Sequence, residues 1–239
     1  LDLIACSLDK PIIFTGSQIP LIEKRSDALI NVTEALVLAA QYPIAEVCLY
    51  FNRKLLRGNR SSKEHSTSFD AFSSPNFPVL GQLGIDVTLN YEQLLTAKPM
   101  QLQTVDFIDE AVTVLPLYPG FSAKTFEYIA SQTPTKGLIL QTFGAGNAPS
   151  ANLAFMRALE ELIDSGVSVI NLTLCRAGMV NQTAYASGDA LSQLGVIAGA
   201  DLTTEAAYAK LHCLIGRGYS NDQIRCLLPQ SHRGELTLF

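Results

Sequence analysis

Five basic side chains fall within the eleven residues 53–63: Arg53, Lys54, Arg57, Arg60 and Lys63. Such a cluster has two chemical uses. It can line a solvated hairpin edge and keep that edge from pairing with another chain. Alternatively, it can disfavour the ammonium form of one lysine, because neighbouring cations and partial burial both penalise the added charge. That lysine could then take a proton from a hydroxyl nucleophile. Lys63 is the candidate, since Ser61, Ser62 and Ser66 surround it in a loop that opens with Gly58-Asn59-Arg60. By type and spacing alone, no nucleophile stands out with a base and an orienting acid.

A second chemical candidate is Gly144-Ala145-Gly146-Asn147, set between an apolar run and a helical pattern. The third glycine of the dinucleotide fingerprint is missing. A tight turn in which the glycines supply positive φ is therefore the simpler account. Helix N-terminal amides binding a carboxylate remain a third. The sequence holds no G-x-S-x-G elbow, P-loop or H-E-x-x-H. With only His65, His212 and His232, a multi-histidine metal centre would need all three to converge, and no metal or other cofactor is expected.

The elements that must position these groups follow an α/β rhythm. Residues 11–16 (PIIFTG) read as a buried strand, 26–41 as a helix and 46–51 (EVCLYF) as the next strand, which makes a βαβ unit. The helix is expected to bury Ile30, Ala35, Leu36, Leu38 and Ala39, and Tyr42-Pro43 stops it. Residues 1–7 read as the tail of an earlier helix, and 54–76 as a hairpin followed by a long polar loop. A second series places strands at 111–118, 137–143 and 167–174 and helices at 122–131, 150–165, 187–194, 203–215 and 221–228. Thr203 is a hydroxyl cap without a capping box. The expected division is a larger domain over 1–90, a linker over 91–110 and a smaller domain over 111–239. Both domains are α/β, the first a truncated doubly wound sheet and the second a smaller parallel sheet.

Composition excludes several classes. Seventeen Lys and Arg against 22 Asp and Glu give a net charge of −5, which argues against a nucleic-acid partner. No apolar run reaches the length of a membrane span, so no membrane partner is expected. The five cysteines, Cys6, Cys48, Cys175, Cys213 and Cys226, are odd in number and irregular in spacing. Thiols in a reducing, cytoplasmic compartment fit them better than a disulfide framework.

The segment KPIIFTGSQIPLIEKRSDALIN (10–31) resembles the KPVIVTGSQIP…RSDG…N stretch of bacterial type I L-asparaginases. The likeness continues, in order, through EVCLYFNRKLLRGNRSSK (46–63), FDAFSSPN (69–76), YPG (118–120), FGAGNAP (143–149), NLTLC (171–175), YASGDAL (185–191), GVIAGADLT (195–203) and RGEL (233–236). The resemblance implies conversion of L-asparagine to L-aspartate and ammonia through a threonine acyl-enzyme. It also implies a homo-oligomer, dimer or tetramer, and a Thr–Lys–Asp triad whose lysine matches Lys63. The family's T-G-G-T and H-G-T-D-T motifs do not occur in these 239 residues. The chain thus reads as a C-terminal portion that is inactive alone. The alternative is a non-catalytic truncated or degenerate copy, acting as an asparagine-binding or partner subunit. The resemblance further implies an allosteric asparagine site at Gln141, Thr173 and Cys175, although ordinary strand packing would account for the last two. A family member carries Arg where Gln141 stands. A guanidinium clamps a carboxylate bidentately, and an amide does not.

Overall fold

Burial alternates along residues 5–7: Ala5 and Ser7 are buried and Cys6, between them, is half-buried. The computed structural model describes residues 3–132, 134–182 and 186–238. One unit takes the chain up to 104 together with 232–235, and the other takes 105–231 with the residues from 236 onward.

In chain order the first unit contains β1 (Ala5–Ser7), β2 (Ile12–Phe14), α1 (Ala28–Gln41), β3 (Val47–Phe51), β4 (Lys54–Arg57), β5 (Ser62–Lys63), β6 (Phe72–Ser73), β7 (Gly81–Leu83), β8 (Val87–Leu89) and β9 (Gln101–Leu102). The main sheet runs β2-β3-β4-β7-β8. Only β2 and β3 are parallel, as the βαβ reading requires, and the remaining pairs are antiparallel. β3 turns into β4 through Asn52 and Arg53, both at positive φ (45° and 62°), the backbone of a two-residue primed hairpin.

Two expectations fail in this unit. Residues 5–7 are not a helix tail. They form β1, which pairs antiparallel with β9, because a three-residue stretch with alternate burial suits a strand and not a helix. Leu1 and Asp2 lie outside the described residues. In α1, Ile30, Leu36 and Ala39 are exposed and the buried row is Asn31, Ala35 and Leu38. The buried Asn31 decides this orientation. Its amide donates to Gly16 O (2.8 Å) and its Oδ1 accepts from the Asn52 N–H (3.3 Å), so the helix turns its 31/35/38 row to the sheet.

The second unit contains β10 (Val112–Pro116), α2 (Lys124–Gln132), β11 (Gly137–Thr142), α3 (Leu153–Asp164), β12 (Ser168–Thr173), α4 (Ala186–Gln193), β13 (Ile197–Ala198), α5 (Thr204–Gly216) and α6 (Asn221–Leu227). Its sheet runs β10-β11-β12-β13, all parallel. Alternation along β11 divides the core: Leu138 and Leu140 pack with Phe126, Phe155 and Leu159, whereas Ile139 packs with Leu211, Leu214 and Ile224. Helices therefore cover both faces, which parallel strands this apolar require. α3 begins at Leu153, three residues later than expected, and is capped by Asn152, whose Oδ1 accepts from Ala154 and Phe155 N–H. Thr203 caps α5 alone, as expected, and Ser220 with Gln223 forms a capping box on α6. Tyr185, the first residue of the YASGDAL block, lies with residues 183 and 184 outside the described residues.

Phe155 is buried against Phe121 and Phe126 in edge-on contacts, with centroids 6.1 and 5.1 Å away. Phe155→Ala is expected to destabilise the protein by about 3–5 kcal/mol, and Phe155→Leu by clearly less. Urea unfolding checks this, and equal midpoints for the two variants would contradict it.

Candidate functional site

The basic cluster is not a solvated edge. Arg57 and Arg60 are 3% and 2% exposed, which corrects the simpler of the two expectations. Arg57, the last residue of β4, donates from Nε and Nη2 to the buried Glu46 carboxylate (2.6 and 3.2 Å). Nη2 also donates to Gln93 O, and Nη1 to Gly234 O (3.4 Å). A 3₁₀ turn, Gly58–Arg60, follows, and Arg60 Nε donates to the same Gly234 O at 2.6 Å. Both guanidinium groups lie over the Phe77 ring, 4.5 and 4.9 Å from its centroid. Asn59 donates to Arg233 O (3.0 Å), so Arg57 and two residues of this turn hold the 232–235 segment. Burying a guanidinium demands this degree of pairing, since an unpaired buried charge costs several kcal/mol.

The turn leads directly into β5 and Lys63. The lysine is exposed, so the expected partial burial is absent. Its Nζ lies 5.6 Å from the centroid of Phe72, its direct partner across the β5–β6 ladder. The loop after Lys63 is tied down at both ends. Gln18 Nε2 donates to Ser68 O (2.8 Å) and, more weakly, to His65 O (3.5 Å). Lys54 Nζ pairs with Asp70 at 2.7 Å, and this hydrogen bond, opposed by desolvation, lowers the Asp70 carboxyl below its ordinary value.

Gln18 is itself held by Asp27. That carboxylate accepts the N–H groups of Gln18 (3.1 Å) and Ile19 (3.0 Å) and the Asn31 amide (3.1 Å). Burial pushes Asp27 upward, but the hydrogen bonds from Ile19, Gln18, its own N–H and Asn31 outweigh it, and the carboxyl ends below its ordinary value. Tyr50 is buried with its hydroxyl donating to Glu34, and burial, then that hydrogen bond and the Glu34 charge, raise the phenol well above its usual range. Sequence reasoning missed Gln18, Asp27, Phe72 and Phe77 as supports. The first three lie inside the family-like blocks and Phe77 directly follows one, so their shared signal was position along those blocks, not residue type.

The second group of site residues stands at the carboxyl ends of β11 and β12, the edge where open parallel sheets present loops for ligands. Gln141 donates to Thr204 Oγ1 (2.8 Å). Thr173 donates to Gly144 O (2.5 Å) and accepts from the N–H of Cys175 (3.0 Å), whose thiol is exposed. Thr173 and Cys175 are thus joined, while Gln141 is turned to α5. Gly144 and Gly146 have φ of +53° and +110°, and Phe143 bridges Asn147, so the GAGN segment is the tight turn that its glycines implied. Among the described residues no trio of His, Cys, Asp or Glu could hold a metal ion, and no helix is long and apolar enough to cross a membrane.

Known proteins carry the same arrangement along nearly the whole chain. Residues 1–95 match the asparaginase N-terminal domain and 111–228 the glutaminase/asparaginase C-terminal domain. The chain belongs to the asparaginase family. L-asparaginase 1 of Escherichia coli is 46% identical over 236 residues, which cover 97% of this chain and 68% of that protein. The crystal structure of L-asparaginase I from Vibrio cholerae superposes with a TM-score of 0.91 at 43% identity, over 99% of this chain and 71% of that one. A 60 kDa lysophospholipase of Mus musculus is 39% identical over 97% of this chain, which spans 41% of that protein.

Gly234 has φ +74°, and a Cβ there would stand 2.3 Å from Arg57 Nη1. Gly234→Ala is expected to cost roughly 1–3 kcal/mol, readable as a lower denaturation midpoint; an unchanged midpoint would show that this junction is slack. Asp27 yields a pH prediction. Its folded carboxyl holds the proton more weakly than the unfolded one, so its contribution is complete above about pH 4 and fades as pH falls through the lower folded value. Asp27→Asn should flatten the acid side of the stability profile, and an unaltered acid limb would refute the assignment.

Proposed function

We propose that this chain takes part in the hydrolysis of L-asparagine to L-aspartate and ammonia, with Lys63 as the proton-accepting lysine of a threonine-nucleophile, acyl-enzyme mechanism. The observation that carries this reading is the match to L-asparaginase 1 over 97% of the chain, with the RGNRSSK segment inside it. The geometry supports it, because two buried arginines and a two-stranded ladder fix the backbone of Lys63 while leaving its amine exposed. Such preorganisation lowers the cost of bringing a base to a hydroxyl. The threonines of T-G-G-T and H-G-T-D-T are not among these residues, so turnover requires a chain that also carries them.

The same reading extends to a homo-oligomer working in the cytoplasm. No disulfide joins the described cysteines, which agrees with a reducing compartment. The edge of Gln141, Thr173 and Cys175 is proposed as a second asparagine site. Because Gln141 spends its amide on Thr204, and no guanidinium stands at that position, a carboxylate there would be held less firmly than by a bidentate clamp.

The test compares two proteins for ammonia release from L-asparagine. The 239-residue chain alone is expected to give none, whereas the chain preceded by in-frame T-G-G-T and H-G-T-D-T segments is expected to be active. In the active form, Lys63→Ala should lower kcat about 10²–10⁴-fold with the fold intact. A near-normal kcat would remove Lys63 from the mechanism. Turnover by the 239-residue chain would remove the threonines.

A further inference from the structure

Lys63 and Phe72 face each other as direct partners in the ladder of β5 and β6. The Nζ atom stands 5.6 Å from the centroid of the Phe72 ring. Behind it, the buried Phe51 ring packs on Phe72, with centroids 5.1 Å apart at 56°. An exposed amine therefore rests near a ring that is itself packed on a buried aromatic side chain. The other charged groups of the surrounding segments are Arg60 on the 3₁₀ turn, Glu64 and His65 next in the chain, and the Lys54–Asp70 pair.

A ring face attracts an ammonium but not a neutral amine. When a base takes a proton from a threonine hydroxyl, the O–H bond breaks and an N–H bond forms on Nζ. The oxygen's electron pair forms a C–O bond to the substrate carbonyl carbon while the carbonyl π pair moves onto its oxygen. When that pair returns the C–N bond breaks, and the proton passes from Nζ to the departing nitrogen, which leaves as ammonia. Where the lysine enters the reaction as the neutral amine, positive charge grows on Nζ as the transition state is approached. An interaction that strengthens with that charge lowers the barrier; one present equally in the ground state does not.

We propose that Phe72 is a positioning residue for Lys63, its ring face fixing the amine and stabilising the charge that forms there when it takes a proton. The catalytic meaning rests on the reading of Lys63 given above, but the ring–amine coupling does not.

The test uses the 239-residue chain and a limiting amount of an amine-acetylating reagent, with peptide mass spectrometry. The rate at Lys63 is read against Lys24 and Lys124 in the same tube. At about pH 8, Phe72→Leu should acetylate Lys63 about two- to fivefold faster, because the ring no longer holds the ammonium. Phe72→Tyr should match the parent, and Phe72→Trp should be slower. At about pH 11, where lysines are mostly unprotonated, the Leu variant and the parent should converge. An unchanged rate in Phe72→Leu would overturn the proposal. So would a faster rate that persists at high pH, which would report exposure alone. If Phe72→Leu does not fold, the Trp variant decides: slower labelling supports the coupling and an unchanged or faster rate refutes it. Turnover of Lys63→Ala in the active form is a separate readout, so failure of the coupling and failure of the catalytic reading are distinguished.

Discussion

The buried ion pair of Arg57 with Glu46 is the constraint on which the first unit depends. Neither group tolerates burial alone, so each must have its remaining hydrogen-bonding positions filled. Glu46 meets this by also accepting the N–H of Leu95. Arg57 meets it with the carbonyls of Gln93 and Gly234 and with the face of Phe77. One ion pair thereby fixes the start of β3, the end of β4, the chain near residue 94 and the 232–235 segment. Gly234 is the only residue type that suits its place, because its φ is positive and its α-carbon lies against the guanidinium. Removing one member of such a pair costs about 3–5 kcal/mol in known cases, since the other is left uncompensated.

From this anchor the order passes to Lys63 through a short path. Arg60 repeats the Arg57 arrangement one turn later, with the same carbonyl and the same ring, so the 3₁₀ turn has little freedom. β5 begins two residues on. The loop that follows would be free on polarity alone, yet Gln18 and Lys54 hold its ends. Asp27 in turn holds the Gln18 backbone through accepted N–H bonds. The result is a rigid backbone carrying an exposed amine, an arrangement suited to a group that must meet a substrate without paying for its own ordering at that moment.

The second unit solves a different problem. Its strands are buried on both faces, so chemistry is confined to the strand ends. At the carboxyl end of β11 and β12, glycines at positive φ let the 143–147 turn fold back on itself. Asn171 and Thr173 donate to its carbonyls. Thr173 therefore has a structural use whether or not a ligand binds beside it. Gln141 likewise satisfies itself on Thr204, the first residue of α5.

Periodicity and punctuation alone determined most of the strands and helices of the second unit, because β11 and β12 are continuous apolar runs and α5 starts at a hydroxyl cap. The ordered motifs likewise determined the family and pointed to Lys63. Tertiary structure decided what residue type could not. The same five basic residues divide into two buried supports, one ion pair, one turn residue and one exposed amine, according to which carbonyls, carboxylates and rings come within reach. It also decided that Asn31, not Ile30 or Leu36, faces the sheet, and that residues 5–7 pair with a strand more than ninety residues away. The physical reason is common to all of these. Hydrophobic spacing is local and legible along the chain, whereas the partner of a buried polar group is supplied by whatever distant segment the fold brings to it.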